Sequence, residues 1–177
     1  RRLFSCAWSC RGKRLTEGMA RQERGMELNL TELTTEAEAC EVYEIYKHCM
    51  FQPDREKFSR KVAQFLGDGS VKILACCHQN RIAGVLVISF AGRHQAEILG
   101  IAVEPSARSR GIGSYMIHQA TRDYGLSSIS AETDEAAVGF YRKNRFRIVQ
   151  IAKSYGGERV VRYQCEWTKA ITTDAIR

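Results

Sequence analysis

Apolar positions along the chain switch between a period of two and a period near 3.6, and the switches outline the elements. Residues 26–31 alternate apolar and polar side chains, as a half-buried strand does. Thr35 and Glu38 then form a capping box that opens a helix predicted to run to about Met50, where Phe51-Gln52-Pro53 stops it. Asp54 caps a second helix in which Phe58, Val62, Phe65 and Leu66 share a face, and Gly67-Asp68-Gly69 ends it. β-Branched runs at 71–78 and 82–90, joined by Gln79-Asn80-Arg81, and a third at 96–103 after Ala91-Gly92-Arg93, predict three antiparallel strands. Pro105 closes the third. A helix over about 113–124 follows, with Gly125 where a left-handed C-terminal cap belongs. A strand at 128–133, a helix at 134–143, and strands near 146–153 and 159–167 linked by Tyr155-Gly156-Gly157-Glu158 complete the series. The expected fold is α/β, one mixed sheet of about seven strands with four helices.

With 177 residues, 44 % of them apolar, the chain fits a single core without room for a second catalytic domain. No internal repeat or low-complexity stretch divides it. Residues 26–168 are expected to form the domain and 169–177 a frayed tail. Residues 1–25 carry seven Lys/Arg against Glu17 and Glu23, so +5 of the formal +7 lies there and only +2 remains for the rest. That segment mixes Arg with Cys and Trp, has no long apolar run and no initiator Met, and is expected to be a disordered or non-native leader, with translation starting at Met26.

The near-neutral remainder offers no basic stripe for a phosphate backbone, so nucleic acid is not an expected partner. No segment is long and apolar enough for a membrane helix. Seven cysteines, odd in number and without a Cys-x-x-Cys pair, suit reduced thiols and a cytoplasmic protein. The four histidines are scattered without ligand spacing, and no metal is expected.

The chemistry concentrates between Glu97 and Ser114. Residues 96–103 are mostly apolar on both faces and read as a central strand covered on both sides, with Glu97 as its charged exception. Arg108-Ser109-Arg110-Gly111-Ile112-Gly113-Ser114 then opens a helix, where free backbone N–H groups and the positive end of the helix dipole favour an anion. Absent side chains at Gly111 and Gly113 are expected to let phosphate oxygens reach the amides, with Arg108 and Arg110 adding charge-assisted bonds. A nucleoside-triphosphate loop is excluded because Gly-x-x-x-x-Gly-Lys-[Ser/Thr] is missing. A dinucleotide fingerprint is excluded because the third glycine is absent.

The stretch EILGIAVEPSARSRGIGSYMI resembles the coenzyme motif of the GNAT acetyltransferase family, [Gln/Arg]-x-x-Gly-x-[Gly/Ala], here residues 108–113. AETDEAAVGFYRKNRF resembles the family's later strand-helix segment ending in Phe-Tyr, and the resemblance extends over about 26–167. It implies an acyl-CoA N-acyltransferase fold, acetyl-CoA as co-substrate, and transfer to the amine of a small molecule or peptide. By the same resemblance Ile101, Ala102 and Val103 pair with the pantetheine arm, and Arg108, Ser109, Arg110, Gly111, Ile112, Gly113 and Ser114 hold the pyrophosphate. An amide at Gly100 or Ile101 faces the thioester carbonyl, Glu97 matches the common strand-borne base, and Tyr141 matches the tyrosine that protonates the leaving thiolate. The acceptor lies beside the first two helices, at Tyr46, His48, Cys49, Met50, Phe51 and Gln52. Two departures stand out: Asp134-Glu135 where the family often has Asn, and Arg145 where it has Gly, with Asn144 expected to supply the left-handed turn. The competing readings are a non-catalytic acyl-CoA sensor that keeps the cradle without needing Glu97 or Tyr141, and packing roles for those two residues. The edge of the final hairpin offers a surface for a homodimer.

Overall fold

The computed structural model describes residues 27–155 and 157–169; the leader 1–25 and the tail beyond Lys169 lie outside them. Seven strands form one sheet: β1 (Leu28–Leu33), β2 (Val71–His78), β3 (Arg81–Gly92), β4 (Gln95–Val103), β5 (Ser128–Thr133), β6 (Arg147–Tyr155) and β7 (Glu158–Thr168), in the order β1-β2-β3-β4-β5-β7-β6. The helices are α1 (Glu36–Glu41), α2 (Tyr43–Tyr46), α3 (Arg55–Gly67), α4 (Ile112–Asp123) and α5 (Glu135–Lys143). All neighbours pair antiparallel except β4 and β5, which run parallel.

The predicted elements are present, with two revisions. The expected helix from Thr35 to Met50 is three pieces: α1 with the Thr35–Glu38 capping box, α2, and a 3₁₀ turn over Lys47–Cys49. The break falls at Val42, 1 % exposed, whose φ −86°, ψ 4° leaves the helical region while its side chain stays in the core. The described residues therefore hold five α-helices rather than four. Strand β4 is central in order but not covered along both faces: Ala96 and Ile98 are buried, whereas Glu97 and Leu99 are exposed.

The reason is the layering. On one face α4 and α5 pack Ile112, Met116, Ile117, Ala120 and Tyr141 against Leu74, Leu86, Ile88, Ile98, Ile129 and Ala131. On the other, α1–α3 bury Val42, Ile45, Tyr46, Phe58 and Val62 against Val71, Ile73, Val85, Val87 and Ala102, a cluster that takes no residue from β5, β6 or β7. The half of the sheet beyond β4 is thus layered on one side only. Its bare face carries Glu97, Ser130, Glu166 and Arg147 in one cross-strand row, because register partners point to the same side.

Candidate active site

Two irregularities of β4 build the site. Its register against β3 slips between Val87↔Gly100 and Ile88↔Ile98, so Leu99 is an extra residue and the strand bulges there. Ile98 and Ile101 pack on the α4 side, while Gly100 and Ala102 turn towards α2, as a bulge between them requires. The second irregularity is a split. The parallel ladder with β5 covers only Gln95↔Ser128 to Ile98↔Ala131, after which β5 follows β7 and β4 runs on to Val103 paired with β3 only. Residues 99–103, which include the predicted Ile101, Ala102 and Val103, therefore have no β5 partner along that edge.

At the end of β4 the chain passes through a 3₁₀ turn (Pro105–Ala107) and reverses into α4. Ser109 (φ 62°) and Gly111 (φ 86°) are left-handed, and Gly111 is the N-cap with no side-chain cap bond. The first backbone bond of α4 runs from Tyr115 N–H to the Gly111 carbonyl at 2.9 Å, so the amides of Ile112, Gly113 and Ser114 remain free within the helix. Arg108 is exposed and donates Nε–H to the Val103 carbonyl at 3.1 Å, tying the cradle to the strand end; Arg110 is exposed. The two glycines differ in purpose. Around Gly111 nothing lies within 4 Å of a would-be Cβ, and its positive φ is what excludes other residues. Gly113 instead admits the ring of Phe140: a Cβ would stand 2.8 Å from Phe140 Cε2 and 3.7 Å from Val103 Cγ2. Its absent side chain serves the packing of α5 on α4.

Tyr141 is 4 % exposed, its ring edge-on to Phe140 and Phe146 at 5.2 and 5.3 Å. Burial pushes its hydroxyl pKa well up, with smaller upward pushes from Cys165, Cys49 and Asp134. Among the described residues the Tyr141 hydroxyl has no hydrogen bond. Thr31 Oγ1 is the sole sealed and unpartnered side-chain oxygen or nitrogen among them, so the tyrosine hydroxyl opens onto solvent-accessible space. Glu97 lies on the bare face between Ser89 and Ser130, without a hydrogen bond or ion pair among the described residues. The nearby Glu132 differs: Lys153 and Arg162 both reach it and hold its carboxyl below the usual range. The departures at 134, 135 and 145 are explained by the fold. Asp134 caps α5 by accepting Ala137 N–H at 3.1 Å, and Glu135 accepts from the Tyr163 hydroxyl. Arg145 itself takes the left-handed turn (φ 63°), while Asn144 is buried and donates to the Phe140 carbonyl at 2.8 Å.

Sequence reasoning placed Tyr46 and Cys49 in the acceptor region but gave them no part in the chemistry. The structure sets both against the β4 bulge. Cys49 is exposed; it donates to the Tyr46 carbonyl at 3.1 Å, and the Ile101 amide faces its sulfur. Burial pushes the thiol up to about 11. Phe51, 88 % exposed, stands at the rim of this region. No helix among the described residues is long and apolar enough to cross a membrane, and none of their His, Cys, Asp and Glu side chains group to hold a metal ion.

Residues 39–146, which span the split, the cradle and α5, match the Acetyltransferase (GNAT) family. The chain belongs to the GNAT acetyltransferase family. Solved structures of the same fold include a GNAT family acetyltransferase from Elizabethkingia anophelis with acetyl-CoA bound, at 17 % identity and a TM-score of 0.59, covering 80 % of this chain and 98 % of that one. The ribosomal-protein-S18-alanine N-acetyltransferase of Escherichia coli aligns at 14 % identity and a TM-score of 0.65, covering 85 % and 99 %. A Bacillus subtilis acetyltransferase in complex with CoA aligns at 18 % identity and 0.57, covering 82 % and 99 %. At these identities the likeness is one of fold. Among curated proteins no sequence matches this GNAT chain significantly.

Proposed function

We propose that this GNAT protein transfers the acetyl group of acetyl-CoA to a primary amine by direct attack in a ternary complex. The observation that carries the reading is the continuity of the split with the cradle. An unpaired strand edge at residues 99–103 runs straight into a left-handed glycine and three free amides at the start of α4. Such an edge suits the amide-bearing pantetheine arm, and the amide cluster suits its pyrophosphate, with Arg108 and Arg110 beside it.

The residues then divide the work. The Ile101 amide donates to the thioester oxygen as negative charge develops there. An amine with pKa near about 10 is mostly protonated at neutral pH and must lose a proton to attack. Glu97, exposed and unpaired on the bare face, accepts that proton directly or through water. Tyr141, held neutral by burial, donates its proton to the departing thiolate. A covalent acyl-cysteine is disfavoured, because a thiol pushed up to about 11 is scarcely ionised near neutrality. The acceptor is a small-molecule or peptide amine entering between the loop after α2 and the bare face of β5 and β7. The unsealed, unpartnered Tyr141 hydroxyl favours turnover over a purely sensing role.

The test follows free thiol release from acetyl-CoA with pooled primary amines. Tyr141→Phe is expected to lower kcat by about 10²-fold or more while leaving CoA binding intact. Gly111→Glu, which puts a carboxylate into the cradle, is expected to abolish CoA binding. Unchanged rates in both variants defeat the assignment.

A further inference from the structure

Tyr46 is 2 % exposed, on α2, with its ring tilted against Phe58 at 5.6 Å. Its hydroxyl has no hydrogen bond to any described residue. It is not sealed either, since Thr31 Oγ1 is the one buried and unpartnered side-chain oxygen or nitrogen among them. A phenol so deeply anchored normally satisfies its hydroxyl within the protein. This one is aimed at the β4 bulge. A Cβ on Gly100 would overlap the hydroxyl and stand 2.8 Å from Cζ and 2.9 Å from Cε2, so the missing side chain at 100 is what lets the phenol lie across the strand.

The residue after Gly100 is Ile101, whose amide faces the Cys49 sulfur. By covalent geometry the Tyr46 oxygen lies within about 6 Å of the Ile101 nitrogen. Two donors that share one acceptor oxygen at about 2.9 Å each can stand up to about 6 Å apart. The Cys49 thiol is not a further donor, because its proton goes to the Tyr46 carbonyl; its sulfur faces the Ile101 amide, so the substrate oxygen takes its place there.

We propose that the Tyr46 hydroxyl is a second donor to the thioester oxygen, opposite the Ile101 amide, and so a catalytic residue of the acyl transfer. The inference rests on the acetyl-CoA reading above. The amine nitrogen forms its bond to the thioester carbon, and the carbonyl electron pair moves onto oxygen, held by Tyr46 O–H and Ile101 N–H without either giving up its proton. When the carbonyl reforms, the C–S bond breaks, its pair leaves on sulfur, and sulfur takes the Tyr141 proton; the proton of the amine goes to Glu97 or water.

Tyr46→Phe keeps the ring and its packing and removes the donor alone. Thiol release from acetyl-CoA is measured with pooled primary amines, and as slower hydrolysis without them, beside CoA binding by calorimetry and thermal unfolding. The expected result is a fall in kcat of about 10²-fold, the usual cost of one lost oxyanion donor. CoA affinity, melting temperature and the midpoints of the pH–rate profile stay at wild-type values. A kcat within twofold of wild type overturns the proposal, as does a parallel loss of CoA affinity and melting temperature, which marks a structural hydroxyl. Shifted pH midpoints overturn it in favour of a proton-transfer role. Wild-type protein that binds no CoA and releases no thiol defeats the acetyl-CoA reading itself, a result separate from any defect of the variant.

Discussion

Replacing Gly113 with alanine separates two reasons for a glycine at the second position of α4. If the residue only had to leave room for a ligand, the substitution would raise stability, since alanine is favoured over glycine in a helix by up to about 1 kcal/mol. The structure predicts the opposite. The new methyl would sit 2.8 and 3.1 Å from Phe140 Cε2 and Cζ, and that ring is braced edge-on by Tyr141 at 5.2 Å. Overpacking of this kind costs about 1–3 kcal/mol, so after the helix gain the net loss reaches about 2 kcal/mol, or a melting temperature lower by up to about 8 °C. Thermal unfolding measures it. The collision also predicts coupling: with Phe140→Ala already present, Gly113→Ala costs little or becomes stabilising, because the two changes share a contact. A melting temperature that rises in the Gly113→Ala single variant refutes the packing argument and restores the ligand-clearance reading.

Two further outcomes follow from the local chemistry. Cys49 is the exposed cysteine among the described residues. With its thiol pushed up to about 11 it should react slowly with iodoacetamide at neutral pH and about tenfold faster per pH unit below that value, and acetyl-CoA should protect it. Peptide mass spectrometry reads this, and labelling indifferent to acetyl-CoA contradicts the placement of the split. Glu132, held below its ordinary 4.5 first by Lys153 and then by Arg162, contributes stability above that value and loses it as pH falls through the lowered one. Glu132→Gln should therefore cost a little stability at neutral pH and make the decline below about pH 4.5 shallower; a decline as steep as wild type contradicts it.

Much of this architecture was legible because each signal was local. The capping box at Thr35, the Asp54 cap, the turn glycines and the β-branched runs act over four to eight residues, and the elements they announce are present. What failed was non-local. Alternation in residues 96–103 could not reveal that α1–α3 cover β4 only from Gly100 onward, so Glu97 and Leu99 are bare. The Phe140 contact that explains Gly113 joins residues 27 apart and has no signature in either segment. Arg145 shows the same limit from the other side: sequence chemistry favours Asn144 for a left-handed turn, but Asn144 is committed to the Phe140 carbonyl and Arg145 bends instead. Tyr46 and Gly100 are unremarkable singly, and only their apposition across the bulge gives either a role.

The parallel seam between β4 and β5 is just four residue pairs long, and it joins two antiparallel blocks that each hold together through longer ladders. It is the shortest ladder of the sheet and joins strands separated by all of α4, so it is the cheapest contact of the sheet to lose. A molecule lodged in the gap would act as a staple across the two leaves. The slowest-exchanging amides gained on its binding should therefore border the seam, in residues 95–98 and 128–131, rather than the interior of either block.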